Sequence, residues 1–264
     1  MAATGAHLTG EPLAALDAAF PKTQGADGAL SFRRSASPSG RPVLLLPGAS
    51  GTSEFFCLAA PLLAAGGVDP VLVDYPGTLA PRELARRTER LARDLGLSAP
   101  VALGCSYSAW WLQHAATDGP FDALILCNGF VEAEDLKPHP LFDHAAIAAT
   151  PAETLREEWR ARAASAPPAM LSELLLQAMS GWLAAEDLKG RLLEVTSSLP
   201  VPLGERFAGP VTVVDCHDDP IVGERARALF RDSWPEAGHR EISGGHYPYV
   251  NAPEEFARTV LAAI

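Results

Sequence analysis

The sequence of 264 residues predicts an α/β fold in which helices cover both faces of a parallel sheet. From about residue 41 onward, short β-branched runs alternate with longer segments of helical periodicity, the pattern of successive strand–helix units. Hydrophobic residues make up 48% of the chain, enough for a large core, and no internal repeat indicates a solenoid. Length and composition therefore fit one large α/β domain.

Six short apolar segments predict the strands of this sheet. They are about residues 42–48, 70–77, 101–106, 123–128, 210–216 and 239–242. Helices are predicted at about residues 54–65, 81–95, 108–116 and 223–234, with a closing helix from about 253. The helix at 81–95 is the clearest, because its leucines recur at helical spacing with arginines and glutamates between them. The first forty residues predict turns at 17–22 and 35–40 and a β-hairpin around 29–34.

Residues 129–206 interrupt this alternation of strands and helices. They contain no convincing strand, are rich in Ala, Leu and Glu, and carry tryptophans and methionines that a flexible linker would lack. We therefore expect a helical insertion at 129–206, and a core built from residues 1–128 and 207–264.

The charge balance restricts the partners of the protein. A formal net charge of −11 argues against nucleic acid or an anionic membrane, because both require a positive face. Apolar runs such as residues 43–46 are far shorter than the roughly 20 residues that a membrane-spanning helix needs. The first twenty residues also lack the basic and apolar regions of a secretory signal. We expect no membrane span and a cytoplasmic location.

The cysteines support this location. Cys57, Cys105, Cys127 and Cys216 all lie in apolar segments, which is typical of reduced, buried thiols. Three of them end predicted strands, and His217 follows the last one. No CxxC or HxxxH spacing accompanies them, so we expect no metal site and no other cofactor.

The segment Gly104-Cys105-Ser106-Tyr107-Ser108 has the features of a nucleophile elbow. In such an elbow a sharp strand-to-helix turn holds a serine in a strained backbone conformation at the carboxyl edge of the sheet. Small residues are needed two positions before and after the serine, where Gly104 and Ser108 stand. A predicted strand precedes Ser106 and a predicted helix follows it. The alternative is an ordinary turn whose serine caps the helix.

A serine hydroxyl needs a base to remove its proton, and a third group to hold that base. His246 is the leading candidate, because it lies in a glycine-flanked loop just after the last predicted strand. His217, at the end of another strand, is the rival. The other histidines are His7, His114, His139, His144 and His239.

The segment HDDP at residues 217–220 supplies the candidate orienting acids. Asp219, directly before Pro220, is the first choice, with Asp218 second and Asp215 third. Asp215 lies on the predicted strand itself, where a buried structural acid is at least as good an interpretation. The order Ser106, Asp219, His246 is the order expected of a triad on this kind of fold.

The loop after the first predicted strand, LPGASGTS, is the candidate for an oxyanion hole. Such a hole needs two backbone N–H groups aimed at the developing negative charge. We assign them to Tyr107, directly after the nucleophile, and to Ala49. Glycines at positions 48 and 51 let the backbone approach a substrate closely. A phosphate-binding loop is disfavoured, because the lysine of GxxxxGK[ST] is absent.

Over residues 41–264 the sequence resembles the α/β-hydrolase superfamily, in the segments LPGASGTSEFF, VLVDYPG, LGCSYS, VVDCHDDPIV and SGGHYPYV. The resemblance implies a central, mostly parallel sheet of eight strands, with residues 129–206 as a cap over the active site. It also marks one departure. Superfamily enzymes commonly have His-Gly in the oxyanion loop, and this chain has Pro47-Gly48.

Within the superfamily the chain resembles the maspardin-like branch, in LPGASGTSEFF, VDYPG, LILCNGF and GGHYPYV. In that branch the acid and histidine positions can be degenerate, and some members bind protein partners instead of catalysing. Asp219 and His246 are intact here, which favours an enzyme.

The leading hypothesis is a serine hydrolase that acts on an ester or thioester of a small-molecule acyl substrate. The alternative is a catalytically weak or inactive adaptor that binds a protein partner, and a third is C–C bond hydrolysis or a lyase reaction on the same scaffold. The oligomeric state has no signature in the sequence. Candidates for an acyl pocket, equally well explained by packing, are Phe55, Tyr107, Phe130, Trp159 and Trp182.

Overall fold

The computed structural model describes residues 8–137, 139 and 141–264. The described chain forms one sheet of eight strands, in the order β1-β2-β4-β3-β5-β6-β7-β8. The strands are β1 (Lys22–Gln24), β2 (Ser31–Arg33), β3 (Arg41–Leu46), β4 (Val68–Asp74), β5 (Val101–Cys105), β6 (Ala123–Cys127), β7 (Val211–Cys216) and β8 (Gly238–Ile242). The pairs β1/β2 and β2/β4 are antiparallel and all others are parallel. The predicted fold class is confirmed.

Helices lie on both faces of the sheet. They are α1 (Gly10–Ala19), α2 (Ala59–Ala65), α3 (Pro81–Asp94), α4 (Tyr107–Trp111), α5 (His144–Ala149), α6 (Ala152–Ser165), α7 (Met170–Gln177), α8 (Ala185–Ser197), α9 (Glu224–Asp232), α10 (Pro248–Asn251) and α11 (Pro253–Leu261). Short 3₁₀ turns occupy Ser53–Phe56, Leu112–His114, Ala133–Leu136 and Leu203–Glu205, and a π turn occupies Ala178–Trp182. Within the described residues, no helix is long and apolar enough to span a bilayer.

The sheet separates two buried cores, and successive residues of β3 enter them in turn. Val43 and Leu45 pack with α2 and α11, whereas Leu44 and Leu46 pack with α3, α4 and α9. Because both faces are covered, the central strands consist of continuous apolar runs instead of alternating ones. The parallel strands β3, β5, β6 and β7 all end at one edge of the sheet, so the loops that follow them meet there.

The amino-terminal region differs from the prediction. Helix α1 occupies Gly10–Ala19, so the predicted turn from residue 17 is wrong for its first three residues. Only Leu16 is buried in this helix, and such a weak apolar stripe gives little periodic signal. The predicted hairpin is present but longer than expected, because β1 pairs with β2 across a loop of residues 25–30.

Between β6 and β7, the insertion (residues 129–206) contains helices α5 to α8 and no strand among its described residues. Helix α1 contacts it through Thr9, whose backbone N–H donates to Glu173 Oε2 at 3.2 Å and whose Oγ1 accepts from Gln177 Nε2 at 2.7 Å. The division into a core and a cap stays a prediction, since these contacts tie the amino-terminal helix to the insertion as well.

A buried ion cluster joins the hairpin to the turn that follows β3. Arg33, on β2, donates from Nη2 to Glu54 Oε1 at 2.8 Å and from Nε to Ser53 Oγ at 3.2 Å. Lys22 lies 3.4 Å from the same Glu54 oxygen. Burial alone would raise the pKa of Glu54, but the nearby Thr52 hydroxyl, hydrogen bonding to Arg33 and the charge of Lys22 lower it to about 2.

We expect this cluster to control unfolding in acid. The pKa of Glu54 is lower in the folded chain than its ordinary value of 4.5, so its ionised form stabilises the fold above that pH. The stabilisation is lost as the pH falls from about 4.5 toward 2. Glu54→Gln should lower the free energy of unfolding at pH 7 by about 3 kcal/mol, since it leaves the buried Arg33 with only the largely exposed carboxylate of Asp17 as an ionic partner. It should also flatten the decline between pH 4.5 and 2.

Urea unfolding at pH 7 measures the loss of stability, and urea unfolding at several pH values between 4.5 and 2 measures the change in acid dependence. The matched control is Glu153→Gln, which removes an exposed carboxylate that pairs with Arg156 on α6. An acid dependence in Glu54→Gln equal to that of the wild type would contradict the assignment.

Candidate active site

Ser106 lies in a tight turn between β5 and α4. Its backbone has φ 55° and ψ −115°, in the positive-φ region that non-glycine residues seldom adopt. A Cβ on Gly104 would come within 2.7 Å of the Ala109 nitrogen and of the Ser108 carbonyl oxygen. Only glycine therefore fits at position 104, where α4 crosses the end of β5. This is the strand–turn–helix geometry predicted for the elbow.

Ser108 has a role beyond being small. Its fully buried Oγ accepts a hydrogen bond from the Cys105 N–H at 2.7 Å and donates one to the Leu46 carbonyl oxygen at 2.8 Å. The hydroxyl thus ties the first turn of α4 to both β5 and β3. A glycine at this position would have no group to make these bonds.

His246 stands in the loop after β8 and reaches Ser106. Its Nε2 lies 2.9 Å from Ser106 Oγ, and its Nδ1 lies 2.8 Å from Asp219 Oδ2. The imidazole is 8% exposed. The structure thus brings the three predicted residues into one hydrogen-bonded chain. The rival base His217 is exposed and takes no part in it.

Asp219 divides its two carboxylate oxygens between two tasks. Oδ2 faces His246, while Oδ1 accepts from the backbone N–H groups of Ile221 at 2.7 Å and Val222 at 3.0 Å. Burial raises the pKa of this carboxyl, but His246 and the two amides outweigh it, so the net shift is downward. An ionised Asp219 accepts from Nδ1–H, which leaves Nε2 of His246 free to take a proton.

The two other candidate acids have different surroundings. Asp218 accepts from the N–H groups of Gly244 at 3.2 Å and Gly245 at 2.9 Å, so it holds the loop that carries the histidine. Asp215 is buried on β7 and pairs with Arg231 at 3.2 Å. Burial raises the pKa of Asp215 despite this pairing. Neither acid hydrogen-bonds to the imidazole within the described residues.

The loop after β3 lies against the nucleophile. A Cβ on Gly48 would lie 3.3 Å from Ser106 Cβ and 3.9 Å from its Oγ. Within the described part of the chain, the backbone N–H groups of Ala49 and Tyr107 donate to no protein acceptor. Both predicted oxyanion donors are therefore free for a ligand, and the Tyr107 amide begins helix α4.

Asn128, at the end of β6, was not among the predicted site residues. It is 1% exposed and has a positive φ of 48°. Its Oδ1 accepts from the Cys216 N–H at 2.9 Å, and its Nδ2 donates to the Gly245 carbonyl at 3.1 Å. Asn128 thus links β7 to the loop just before His246. The only sequence signal was a polar residue directly after an apolar strand.

A small enclosed cavity of about 20 Å³ adjoins Ser106 and His246. Trp159 lines it, as proposed for an acyl pocket, but Phe55, Tyr107 and Phe130 are fully buried in the cores and Trp182 borders a different cavity. Phe142, Leu192, Val195 and Ile221 are among the other residues that line the cavity at Ser106.

The cysteines form no disulfide and all four are buried. Burial raises the pKa of Cys57 to about 11, which keeps this thiol protonated. Among residues 8–137, 139 and 141–264, no group of three His, Cys, Asp or Glu side chains is arranged to hold a metal ion.

Comparison with known sequences decides the family. The sequence model described as "Alpha/beta hydrolase family" matches residues 43–259. The chain belongs to the α/β-hydrolase family. No curated protein matches this hydrolase.

Solved structures of diverse enzymes share the fold of this α/β-hydrolase. An esterase from Exiguobacterium antarcticum superposes with a TM-score of 0.71 at 15% identity, covering 91% of this chain and 97% of the esterase. The thioesterase domain from the curacin biosynthetic pathway gives 0.65 at 16% identity, covering 92% and 98%. A bromoperoxidase from Bacillus anthracis gives 0.67 at 14% identity, covering 92% and 98%. At these identities the likeness concerns the fold alone.

Proposed function

We propose that this α/β-hydrolase is a serine hydrolase that cleaves a carboxylic ester or thioester through an acyl-enzyme on Ser106. The observation that carries the proposal is the unbroken chain from Asp219 through His246 to Ser106, with both hydrogen bonds under 3.0 Å. Such an arrangement activates a hydroxyl that is otherwise a weak nucleophile.

In the acylation step, Ser106 Oγ attacks the substrate carbonyl carbon while His246 Nε2 takes the hydroxyl proton. The carbonyl oxygen becomes an oxyanion that accepts from the N–H groups of Ala49 and Tyr107. His246 then gives its proton to the leaving alcohol or thiol, and an ester on Ser106 remains. In the second half, His246 Nε2 takes a proton from a water molecule as its oxygen attacks the acyl carbon. The bond between that carbon and Ser106 Oγ then breaks, His246 returns the proton to Oγ, and the carboxylic acid leaves.

The small cavity beside Ser106 favours a short acyl group. A water molecule needs about 10–15 Å³ of such space, so about 20 Å³ holds little more than one solvent-sized group. The methyl of an acetyl group fits this space, whereas a longer chain requires a lining side chain to move, and Trp159 on α6 is the largest side chain there. We therefore propose that the substrates carry short acyl groups.

Replacing that wall should change the acyl preference. In a series of p-nitrophenyl esters, Trp159→Ala is expected to raise kcat/KM for hexanoate relative to acetate by about tenfold or more, since each methylene in an apolar pocket is worth that order. Trp234→Ala, in a cavity lined by residues 203, 206–211 and 233–237, is the matched control and should leave the ratio unchanged. An unchanged ratio in Trp159→Ala would contradict the assignment of this cavity to the acyl group.

A fluorophosphonate probe tests the proposed function directly. Ser106 Oγ should attack the phosphorus and expel fluoride, and peptide mapping of the labelled wild-type protein should place the adduct on Ser106. Failure of the wild type to react with the probe or to hydrolyse p-nitrophenyl acetate would overturn the proposal and favour the adaptor hypothesis.

Three further assignments belong to this proposal. Residues 129–206 act as a cap on a core of residues 1–128 and 207–264, in keeping with α6 and α8 residues at the cavity beside Ser106. The segments LPGASGTSEFF and GGHYPYV support a place in the maspardin-like branch. Buried free thiols support a cytoplasmic location.

A further inference from the structure

We infer that Arg191, in the insertion, positions the oxyanion loop (residues 47–51) so that the Ala49 N–H faces Ser106. The inference rests on the proposed function and adds a positioning residue to it. It explains how a loop with Pro47-Gly48 in place of His-Gly keeps a defined shape.

Arg191 lies on α8 and is only 2% exposed. Its Nη1 donates to the Gly51 carbonyl at 2.9 Å and to the Ala49 carbonyl at 3.3 Å, and its Nη2 donates to the Tyr75 carbonyl. In the part of the chain that the structure describes, it forms no salt bridge with a carboxylate. Burying a charge whose partners are all neutral carbonyls is costly, and such costs are concentrated at functional sites.

Tyr75 completes the contact from the core side. Its ring centroid lies 4.1 Å from Arg191 Cζ, in a cation–π arrangement, and its hydroxyl donates to the Pro47 carbonyl at 2.6 Å. Tyr75 is 3% exposed, and burial raises its pKa to about 12, so the hydroxyl keeps its proton. Arg191 and Tyr75 therefore form a clamp on the carbonyls of the oxyanion loop.

The clamp determines where the loop's amide points. The Gly48 carbonyl accepts from the Gly51 N–H at 3.1 Å and lies 3.5 Å from the Tyr75 hydroxyl. In a planar trans peptide the carbonyl and the following N–H point in opposite directions. The Ala49 N–H, which shares this peptide, is thus directed away from the clamp. Gly48 itself packs against Ser106, so the Ala49 N–H is directed toward the side of the peptide on which the nucleophile lies.

Variants of the clamp test this geometry. Arg191→Met and Arg191→Lys both lose the guanidinium fork that joins the loop carbonyls, through Nη1, to the Tyr75 carbonyl, through Nη2. Tyr75→Phe loses only the hydroxyl. For p-nitrophenyl acetate we expect kcat to fall about 100-fold in the Arg191 variants and about tenfold in Tyr75→Phe, since small misplacements of catalytic groups have effects of this order. The KM should change less than threefold.

The binding affinity for a trifluoromethyl ketone distinguishes a role in positioning the oxyanion loop from a merely structural one. Ser106 Oγ adds to its carbonyl carbon, the proton passes to His246, and the ketone oxygen becomes an oxyanion in the same site. Affinity for this ketone should fall in parallel with kcat across the variants. Arg206→Met is the matched control, because Arg206 also donates to two backbone carbonyls and stacks on Trp234 at 5.2 Å, in a different cavity.

The outcomes separate the two proposals. An inactive wild type with no Ser106 adduct would overturn the proposed function itself. An active wild type with unchanged kcat and ketone affinity in Tyr75→Phe would overturn the clamp, even if the Arg191 variants failed to fold. A fall in kcat without a matching loss of ketone affinity would overturn it as well, because the loss would then lie outside the oxyanion site.

Discussion

Ser106→Ala is expected to lower kcat for p-nitrophenyl acetate by at least about 10⁴-fold and to abolish labelling by a fluorophosphonate. The substitution removes the hydroxyl oxygen that lies 2.9 Å from His246 Nε2, so no acyl-enzyme can form on residue 106. The oxyanion loop stays in place, and the small residual rate should come from water that attacks a bound ester. KM should change little, because alanine keeps the Cβ that packs against Gly48.

The control for this variant is Ser180→Ala, an exposed serine of the insertion whose Oγ donates to the Leu176 carbonyl. It should retain full labelling and turnover. Turnover in Ser106→Ala comparable to that of the wild type would mean that another group performs the chemistry, and the assignment of the nucleophile would fail.

Asp219→Asn is expected to lower kcat by about 10⁴-fold at pH 7 while the protein stays folded. An asparagine can still accept from the Ile221 and Val222 amides, so the backbone after β7 keeps its shape. Its amide would donate to Nδ1 of His246, which moves the ring proton to Nε2. The nitrogen that faces Ser106 at 2.9 Å would then be unable to take a proton.

The neighbouring Asp218 provides the matched control. Asp218→Asn weakens the bonds to the Gly244 and Gly245 amides but leaves the carboxylate of Asp219 in place, so we expect a loss below about tenfold. Measurement of kcat for both variants decides between the acids. Equal losses would show that holding the loop, and not orienting the imidazole through Asp219, limits catalysis.

The sequence was most informative where a single local requirement determines the residue. The central strands are apolar on both faces because helices cover both, and Gly104 is required because α4 crosses within van der Waals distance. Ser106, Asp219 and His246 lie close together because each follows a parallel strand that ends at the same sheet edge. These features depend on pattern and chain order, which a sequence displays directly.

The residues that the sequence did not reveal act through backbone groups. Arg191, Tyr75 and Asn128 all hydrogen-bond to carbonyls or amides that are distant along the chain. A backbone carbonyl has no side-chain identity, so no motif marks the partner of such a residue. Helix α1 was missed for a different reason: only Leu16 is buried in it, so its apolar stripe gives little periodic signal.

The two outer strands of the sheet carry a consequence for self-association. The three residues of β1, Lys-Thr-Gln, are all on the exposed surface. The first four residues of β8 are exposed as well and include His239, Arg240 and Glu241. An edge strand has unpaired N–H and carbonyl groups that can hydrogen-bond to a β-strand of another molecule, and short, charged edge strands disfavour this pairing. Both ends of this sheet therefore discourage the addition of a ninth strand from another molecule, which protects against aggregation through the edges.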